Sequence, residues 1–245
     1  NMIMQSPVPS EIEEALMKAY AELEQKTVPG VHIAVRSSAI GEDTEASFAG
    51  QYSTELNVTK DNIIHAYKTV IASKYSARAI SYRMHSGLDD RETPMCAAGI
   101  VMLDPKASGV LYTKHPSAPS SDTVKINAVS GLGAYLVDGS ASSDVFVADK
   151  KRNIIVEKII RSKEFRMVNL SGGGIDLEKI PESERQIPAI DDGTVFQLRD
   201  FGLMLEEYFG SPQDVEWAAD KKGKLFILQS RPLHIAETKI PEERL

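Results

Sequence analysis

The chain has 245 residues, 42% hydrophobic and 26% charged, with a formal net charge of −7 and a pI of about 5.4. This length and apolar content can bury the core of one large domain or two small lobes. The acidic balance argues against a general nucleic-acid-binding role, which requires a basic surface. No stretch approaches the roughly 20 consecutive apolar residues of a membrane-spanning helix.

The composition and the first residues also bear on the compartment. The start of the chain lacks the basic and apolar regions of a secretory signal peptide. Its single cysteine, Cys96, excludes an intrachain disulfide and lies in an apolar run, so we expect a buried thiol. Together these features predict a cytoplasmic protein without membrane segments.

The first predicted element is a helix that begins near Ser10. Ser10 and Glu13 match a capping box, and Gly30 follows as the end of the connection to the next element. The apolar residues of this segment recur at helical spacing, at Ile12, Leu16, Tyr20 and Leu23. We therefore interpret residues 1–30 as a helical lead-in.

An apolar strand that begins at Val31 then leads into Arg36 and Ser37. A guanidinium beside hydroxyls and backbone N–H groups at the end of a strand suits a phosphate group. The alternative is an arginine that pairs with Glu42 or Asp43 in a solvated loop.

The middle of the chain predicts a long helix followed by several strands. The helix spans about residues 62–85, and its apolar stripe is predicted to be core; the stripe consists of Ile64, Tyr67, Ile71, Tyr75 and Tyr82. Five short apolar or alternating runs follow, at 97–103, 109–113, 124–129, 144–148 and 154–160. Such a succession predicts an α+β fold with a mostly antiparallel sheet and flanking helices.

A further helix, at about residues 195–209, is predicted to turn Leu198, Phe201, Leu205 and Tyr208 inward. It precedes two strands that form a predicted hairpin. On the first strand, alternation places Asp214 and Glu216 on one face and Val215 and Trp217 on the other.

The register of this hairpin follows from its turn. A two-residue turn at Lys222-Gly223 would set Glu216 opposite Gln229 and Asp214 opposite Arg231. Carboxylate and amide oxygens are ligands for a hard divalent cation, and a guanidinium binds phosphate. The pattern therefore indicates a nucleotide site, with an ordinary exposed sheet face carrying a cross-strand ion pair as the alternative.

Four motifs together resemble a known family. They are VRSSAIGEDTEASFAGQY, ASGVLYTKHP, INAVSGLGAYLVDG and PQDVEWAADKKGKLFILQSRPL, and they cover most of the chain between about residues 30 and 233. In order and spacing they closely resemble the nucleotide-binding domain of phosphoenolpyruvate synthase and pyruvate phosphate dikinase. The resemblance implies an ATP-grasp-like domain over residues 31–234, with 235–245 as a linker tail.

In that family the domain passes a phosphoryl group from ATP to a histidine on a separate swivelling domain, which carries it to a domain that binds pyruvate or phosphoenolpyruvate. The resemblance implies that Arg36, with the adjacent Ser37, contacts the nucleotide phosphates. It implies that Glu216 and Gln229 hold Mg²⁺ and nucleotide with Asp214 beside them. Arg231 would lie nearest the transferred phosphate, so that Arg36 and Arg231 are the catalytic candidates.

The chain also departs from the family pattern. Residues 1–30 contain no glycine-rich segment with a phosphate-binding lysine, so we expect the first lobe to be missing and the isolated chain to be inactive. Ala134 stands where the family commonly has glutamate, and Ile100 and Val101 stand where it often has glutamine and a basic residue. A degenerate nucleotide-binding or regulatory module without phosphoryl transfer is therefore the alternative. The final acceptor, and the choice between β- and γ-phosphate transfer, stay open.

Overall fold

The computed structural model describes residues 2–39, 52–137 and 142–233. The chain divides into two compact units, one formed by residues 1–103 and 169–176 and the other by residues 104–168 and 177–245. The predicted linker tail, 235–245, lies outside the described residues, as do Glu42 and Asp43. The predicted boundaries 1–30 and 31–234 stay a prediction.

The first unit combines helices with an antiparallel three-stranded sheet of order β2-β1-β3. Tyr20 illustrates how its core closes, because the buried ring donates its hydroxyl hydrogen to the carbonyl of Val31 at 2.6 Å. Ile33 and Val35 of the central strand point into the same core. The elements are α1 (Met2–Gln5), α2 (Ser10–Lys26), β1 (Ile33–Ala39), β2 (Thr54–Val58), α3 (Ile63–Ser73), α4 (Ala77–His85) and β3 (Met95–Val101).

Two helix predictions for this unit are wrong. Pro9, not Ser10, is the N-cap of α2, and no side chain caps the helix. The predicted helix over 62–85 is broken between α3 and α4, where the side chain of Ser76 accepts a hydrogen bond from the N–H of Ala79 at 3.2 Å and so begins a new helix.

The predicted core stripe of this segment is only partly correct: Ile64 packs against the core, but the fully buried residues lie one position earlier in the chain. Ile63, Ala66 and Val70 are buried, whereas Tyr75 is 49% exposed. Ile64, Tyr67, Ile71 and Tyr82 are partly buried. Helical periodicity thus identifies the amphipathic segment but does not determine which residues of the helix face the core.

Cys96 is exposed, so the prediction of a buried thiol is wrong. It lies on β3 opposite Ser38 of β1, while the core residues Ile33 and Val35 project from the other face of β1. The apolar run indicates a buried strand, but only one face of β3 meets the core.

The second unit is built on an antiparallel six-stranded sheet of order β11-β10-β4-β5-β6-β7. One face packs against α6 around the fully buried residues Trp217, Leu111 and Phe146, with Val195 and Leu198 supplied by the helix. The elements are β4 (Pro105–Tyr112), β5 (Thr123–Ser130), α5 (Ala134–Val137), β6 (Asp144–Asp149), β7 (Ile155–Ile159), β8 (Phe165–Asn169), β9 (Ile175–Lys179), α6 (Asp192–Phe209), β10 (Gln213–Asp220) and β11 (Leu225–Pro232). The predicted α+β class with a mostly antiparallel sheet is confirmed.

The prediction for α6 is correct in place but partly wrong in orientation. The helix begins three residues earlier than predicted, because Asp191 caps it by accepting the Thr194 N–H at 2.7 Å. Leu198 is buried as expected, but Phe201 is 39% exposed and Tyr208 is 81% exposed.

Candidate functional site

The hairpin of β10 and β11 has the predicted register at Asp214 and Glu216, but its turn differs from the prediction. The turn is not the predicted two-residue turn: Asp220 pairs with Lys224, its carbonyl accepts the Gly223 N–H at 3.0 Å, and Gly223 has φ +83°. Lys221 to Gly223 therefore form a three-residue loop with a left-handed glycine.

A β-bulge then compensates for the longer turn. Trp217 faces Ile227, whereas the preceding residue, Glu216, faces Gln229. Leu228 therefore has no facing residue on β10. The bulge restores the predicted pairs, Glu216 with Gln229 and Asp214 with Arg231. The predicted register is confirmed, although the predicted turn is wrong.

The two faces of β10 differ in the way that alternation predicts. Val215 and Trp217 are fully buried on the face that packs against α6. Asp214 and Glu216 are half-buried on the opposite face. We call this second surface of the six-stranded sheet the polar face.

Asp214 and Arg231 form a salt bridge on the polar face. Both Nε and Nη2 of Arg231 donate to the same oxygen, Oδ2 of Asp214, at 3.0 and 2.7 Å. Burial alone would lower the pKa of Arg231, but the hydrogen bond and charge of Asp214, together with the charge of Glu216, raise it overall. The guanidinium therefore stays charged and fixed in place, and its Nη1 makes no hydrogen bond within the described residues.

Glu216 is a carboxylate without a direct cation. It forms no hydrogen bond or salt bridge in the described part of the chain, although it faces the amide of Gln229 across the hairpin. A half-buried carboxylate opposite an amide is a donor set that fits Mg²⁺, which takes one or two protein oxygens and completes its shell with phosphate and water. No group of three or more His, Cys, Asp or Glu side chains converges within residues 2–39, 52–137 and 142–233, so the chain offers no all-protein metal cage there.

The polar face continues across β4 and β5 in two rows of facing residues. In one row Glu216 is followed by Val110 and Asn127, and in the other Asp214 is followed by Tyr112 and Lys125. Tyr112, Lys125 and Asn127 share this face, and the sequence analysis did not name them as candidates. Alternation along β4 and β5 assigns each of these three residues to one face of its own strand. Alternation does not indicate which strand lies beside β10.

Two of these added residues show how enclosed the polar face is. Burial raises the pKa of Tyr112, and the charge of Asp214 raises it further, while Arg231 acts in the opposite direction. Asn127 donates to Ser143 Oγ at 3.0 Å, but its buried Oδ1 has no hydrogen-bond partner among the described residues. A buried acceptor without a donor is uncommon in folded proteins.

The remaining candidates lie in the first unit. Arg36 is half-buried on β1, where it faces Thr54 of β2 and Ala98 of β3, and Ser37 follows it. The structure thus brings Asp214, Glu216, Gln229 and Arg231 together on the second unit and places Arg36 and Ser37 on the other.

Gly131 has a structural role that explains part of its motif. It has φ +79°, and a Cβ at this position would lie 2.3 Å from the carbonyl oxygen of Met167. The next residue, Leu132, donates its N–H to that same oxygen at 2.9 Å. Close packing against β8 therefore accounts for this glycine.

Comparison with known proteins gives consistent results. The family described as pyruvate phosphate dikinase, AMP/ATP-binding domain, matches residues 1–244. The chain is 37% identical over 244 residues to phosphoenolpyruvate synthase of Pyrococcus furiosus, covering 95% of this chain and 30% of the relative. It is 37% identical over 244 residues to phosphoenolpyruvate synthase of Escherichia coli, covering 94% and 31%.

A relative with a different name is similar to about the same degree. Rifampicin phosphotransferase of Bacillus cereus is 39% identical over 202 residues, covering 82% of this chain and 23% of the relative. The chain therefore spans less than a third of the length of each of these three relatives. Among the described residues, no helix is long and apolar enough to cross a membrane.

Proposed function

The chain belongs to the pyruvate phosphate dikinase AMP/ATP-binding domain family, and on that premise we propose that it binds ATP and Mg²⁺ for phosphoryl transfer to a histidine of another domain. The observation that carries the proposal is the hairpin register, which sets Glu216 opposite Gln229 and Asp214 opposite Arg231. The two pairs lie side by side on one sheet face, which supports binding of Mg²⁺ by the first and of phosphate by the second.

Glu216 and Gln229 would hold the Mg²⁺ ion, because both present oxygen ligands and Glu216 has no direct cationic partner among the described residues. A bound Mg²⁺ ion supplies positive charge to phosphate oxygens. Gln229, a neutral ligand, adds no negative charge that would repel the nucleotide.

Arg231 is the proposed catalytic arginine. Asp214 holds two of its N–H groups, so the guanidinium is positioned before ligand arrives, and Nη1 remains for a phosphate oxygen. Phosphoryl transfer depends on charge neutralisation and in-line positioning. No side chain of the chain needs to act as a nucleophile.

Arg36 and Ser37 are proposed as further ligands of the nucleotide phosphates, with Arg36 the second catalytic arginine. A guanidinium followed by a hydroxyl on one strand offers several donors to an anion. This assignment is supported by the motif around these residues and by the half-buried position of Arg36.

For the full-length protein we propose a cytoplasmic phosphotransferase whose histidine-bearing swivelling domain delivers the phosphoryl group to a pyruvate- or phosphoenolpyruvate-binding domain. The names of the relatives in Pyrococcus furiosus and Escherichia coli support pyruvate as the acceptor. The rifampicin phosphotransferase shows that a similar domain also occurs in a protein with a different acceptor. On its own, the chain would bind nucleotide without completing transfer.

A second candidate is a nucleotide-binding module that no longer supports transfer. The observation in its favour is Ala134, which occupies the first position of α5 and has no group able to bind a metal or a phosphate. Retention of Arg36, Glu216, Gln229 and Arg231 favours the first candidate.

The deciding experiment incubates the full-length protein with ATP labelled separately at the β and γ positions and measures acid-labile label on the protein. Retained β-label supports a phosphohistidine relay of the synthase or dikinase type. Absence of label from either position in folded protein that binds MgATP supports the second candidate. Failure to bind MgATP contradicts both.

A further inference from the structure

Lys125 is an uncompensated cation on the polar face. It is half-buried on β5 and forms no salt bridge or hydrogen bond in the part of the chain that the structure describes. In contrast, two largely buried lysines of this unit each form a salt bridge with a carboxylate. They are Lys150 and Lys163, whose side chains are 14% and 3% exposed. Partial burial of an ammonium group without an anion is unfavourable unless a ligand supplies the negative charge.

The register places Lys125 in line with the proposed phosphate site. Arg231 faces Asp214, Asp214 faces Tyr112, and Tyr112 faces Lys125. Adjacent strands are about 4.8 Å apart, so the backbones of Arg231 and Lys125 are separated by roughly 14 Å. Both side chains are long enough to reach toward a ligand that lies between them.

Tyr112 lies between Arg231 and Lys125 in this row of the sheet. Burial and the charge of Asp214 raise its pKa, so the phenol is neutral at physiological pH and adds no negative charge to the surface. The carboxylates of Asp214 and Glu216 are the anionic groups near Arg231. A polyphosphate therefore meets less repulsion on the Tyr112 side of the row than over Glu216.

The neighbours beyond Lys125 define its surroundings. Val147 faces it on β6, and Glu157 of β7 follows in the same row but is exposed. Burial and the charge of Lys125 lower the pKa of His115, while Glu157 raises it. Since His115 Nδ1 accepts the Ser117 N–H at 3.2 Å, the neutral ring carries its hydrogen on Nε2.

We propose that Lys125 is a phosphate-binding residue of this site and contacts the polyphosphate chain of a nucleoside triphosphate at the end away from Arg231. The proposal rests on the proposed nucleotide-binding function and assigns it a residue on the strand two positions away from β10.

The test is a titration of the 245-residue chain with ATP and with adenosine, both in the presence of Mg²⁺, followed by amide chemical shifts. Lys125→Met and Lys125→Gln remove the charge, and Lys125→Arg keeps it. Lys179→Met is the matched control, because Lys179 lies exposed on β9 and forms no salt bridge with any residue that the structure describes. Spectral dispersion shows whether each variant is folded.

We expect Lys125→Met and Lys125→Gln to weaken ATP binding about tenfold, the effect of one charge-assisted hydrogen bond. Adenosine binding should not change, and Lys125→Arg should stay within about threefold of the unsubstituted chain. Lys125→Met should also raise the pKa of His115, which would verify that the two side chains are close.

The possible failures are distinct. ATP binding by Lys125→Met and Lys125→Gln that equals binding by Lys179→Met would overturn the role of Lys125 and leave the proposed function intact. Absence of ATP binding by the unsubstituted chain would overturn the proposed function and this proposal with it. An equal loss of ATP and adenosine binding would show a structural effect instead of a phosphate contact, and would also overturn the assignment.

Discussion

Two carboxylate–cation pairs of the second unit differ in how many of their hydrogen-bonding atoms have partners within the protein. Asp144 and Lys163 are almost completely buried, with side-chain exposures of 0% and 3%. Oδ1 of Asp144 accepts from Lys163 and the Arg161 N–H, and Oδ2 accepts from Lys163 and the Ala189 N–H. Lys163 also donates to the Arg161 carbonyl at 3.0 Å, so all its N–H groups are used.

Asp214 and Arg231 are more exposed, at 12% and 31%, and are only partly committed to each other. Both donors of Arg231 meet a single oxygen of Asp214, which leaves Nη1 of the arginine and Oδ1 of the aspartate without a hydrogen bond in the described residues. The first pair closes a network within the protein. The second pair holds the Arg231 guanidinium in place and leaves its Nη1 available as a donor to solvent or a ligand.

The comparison shows that satisfaction of hydrogen bonds, more than the presence of an ion pair, separates a structural pair from a candidate site. A buried pair stabilises a fold only when its remaining donors and acceptors are also met. The Asp144 network meets that condition with groups from three chain segments. The Arg231 pair leaves one donor and one acceptor for solvent or a ligand.

The largest expected effect on stability follows from breaking the closed pair. Lys163→Met leaves Asp144 as an unpaired buried charge, and we expect the free energy of unfolding to fall by about 3–5 kcal/mol. Urea denaturation measures the change. Lys151→Met is the control, because Lys151 pairs with Asp122 at exposures of 81% and 56%; we expect a change within about 1 kcal/mol. Equal small effects of both substitutions would contradict the comparison.

The largest expected effect on activity comes from the open pair. Arg231→Ala removes the proposed donor to the transferred phosphate, and we expect phosphorylation of the full-length protein to fall by at least about 10³-fold, as for other arginines that act on a phosphoryl group. The fold should persist, because both side chains retain access to solvent. Label transfer from ATP and circular dichroism measure the two effects. Normal labelling would remove Arg231 from the mechanism.

The hairpin shows what the sequence could predict about the site. Strand alternation alone assigned Asp214 and Glu216 to one face, and the cross-strand pairs were correct. The assumed turn was one residue too short, and the bulge at Leu228 cancelled the error. Neither the three-residue turn nor the bulge is visible in a hydrophobic pattern, because both depend on local backbone geometry.

Residues on other strands could not be predicted in the same way. Tyr112 and Lys125 share the polar face with Asp214 only because β4 lies beside β10 and β5 beside β4, an order set by contacts distant in sequence. The break at Ser76 was missed for a local reason. A serine hydroxyl that caps a new helix competes with the helical periodicity on which the prediction of one long helix depended.

A smaller effect is expected from changing Glu216, the proposed metal-binding carboxylate. Glu216→Gln keeps the size of the side chain but removes its charge, so ATP binding in the presence of Mg²⁺ should weaken by about tenfold while metal-free binding changes less. Calorimetric titration with and without Mg²⁺ measures both. Glu207→Gln, exposed on α6, is the control. An equal loss with and without the ion would count against a metal role for Glu216.

The smallest expected effect is a titration that reports on the open pair directly. The pKa of Tyr112 should lie above its usual value of 10.0, because the phenol is buried and faces Asp214. Arg231→Ala should raise this pKa further and Asp214→Asn should lower it, since Arg231 stabilises the phenolate and Asp214 opposes it. Carbon chemical shifts of labelled tyrosine, assigned with Tyr112→Phe, measure the midpoints.

The sign of the pH dependence follows from the same shift. A raised pKa means that the folded chain holds this proton more tightly than the unfolded chain. The contribution to stability is therefore complete below pH 10 and is lost as the pH rises through the folded-state value. If the midpoint of Tyr112 were unchanged in both variants, the tyrosine would not sense the charges of Asp214 and Arg231. The polar face would then be less enclosed than the comparison of the two pairs requires.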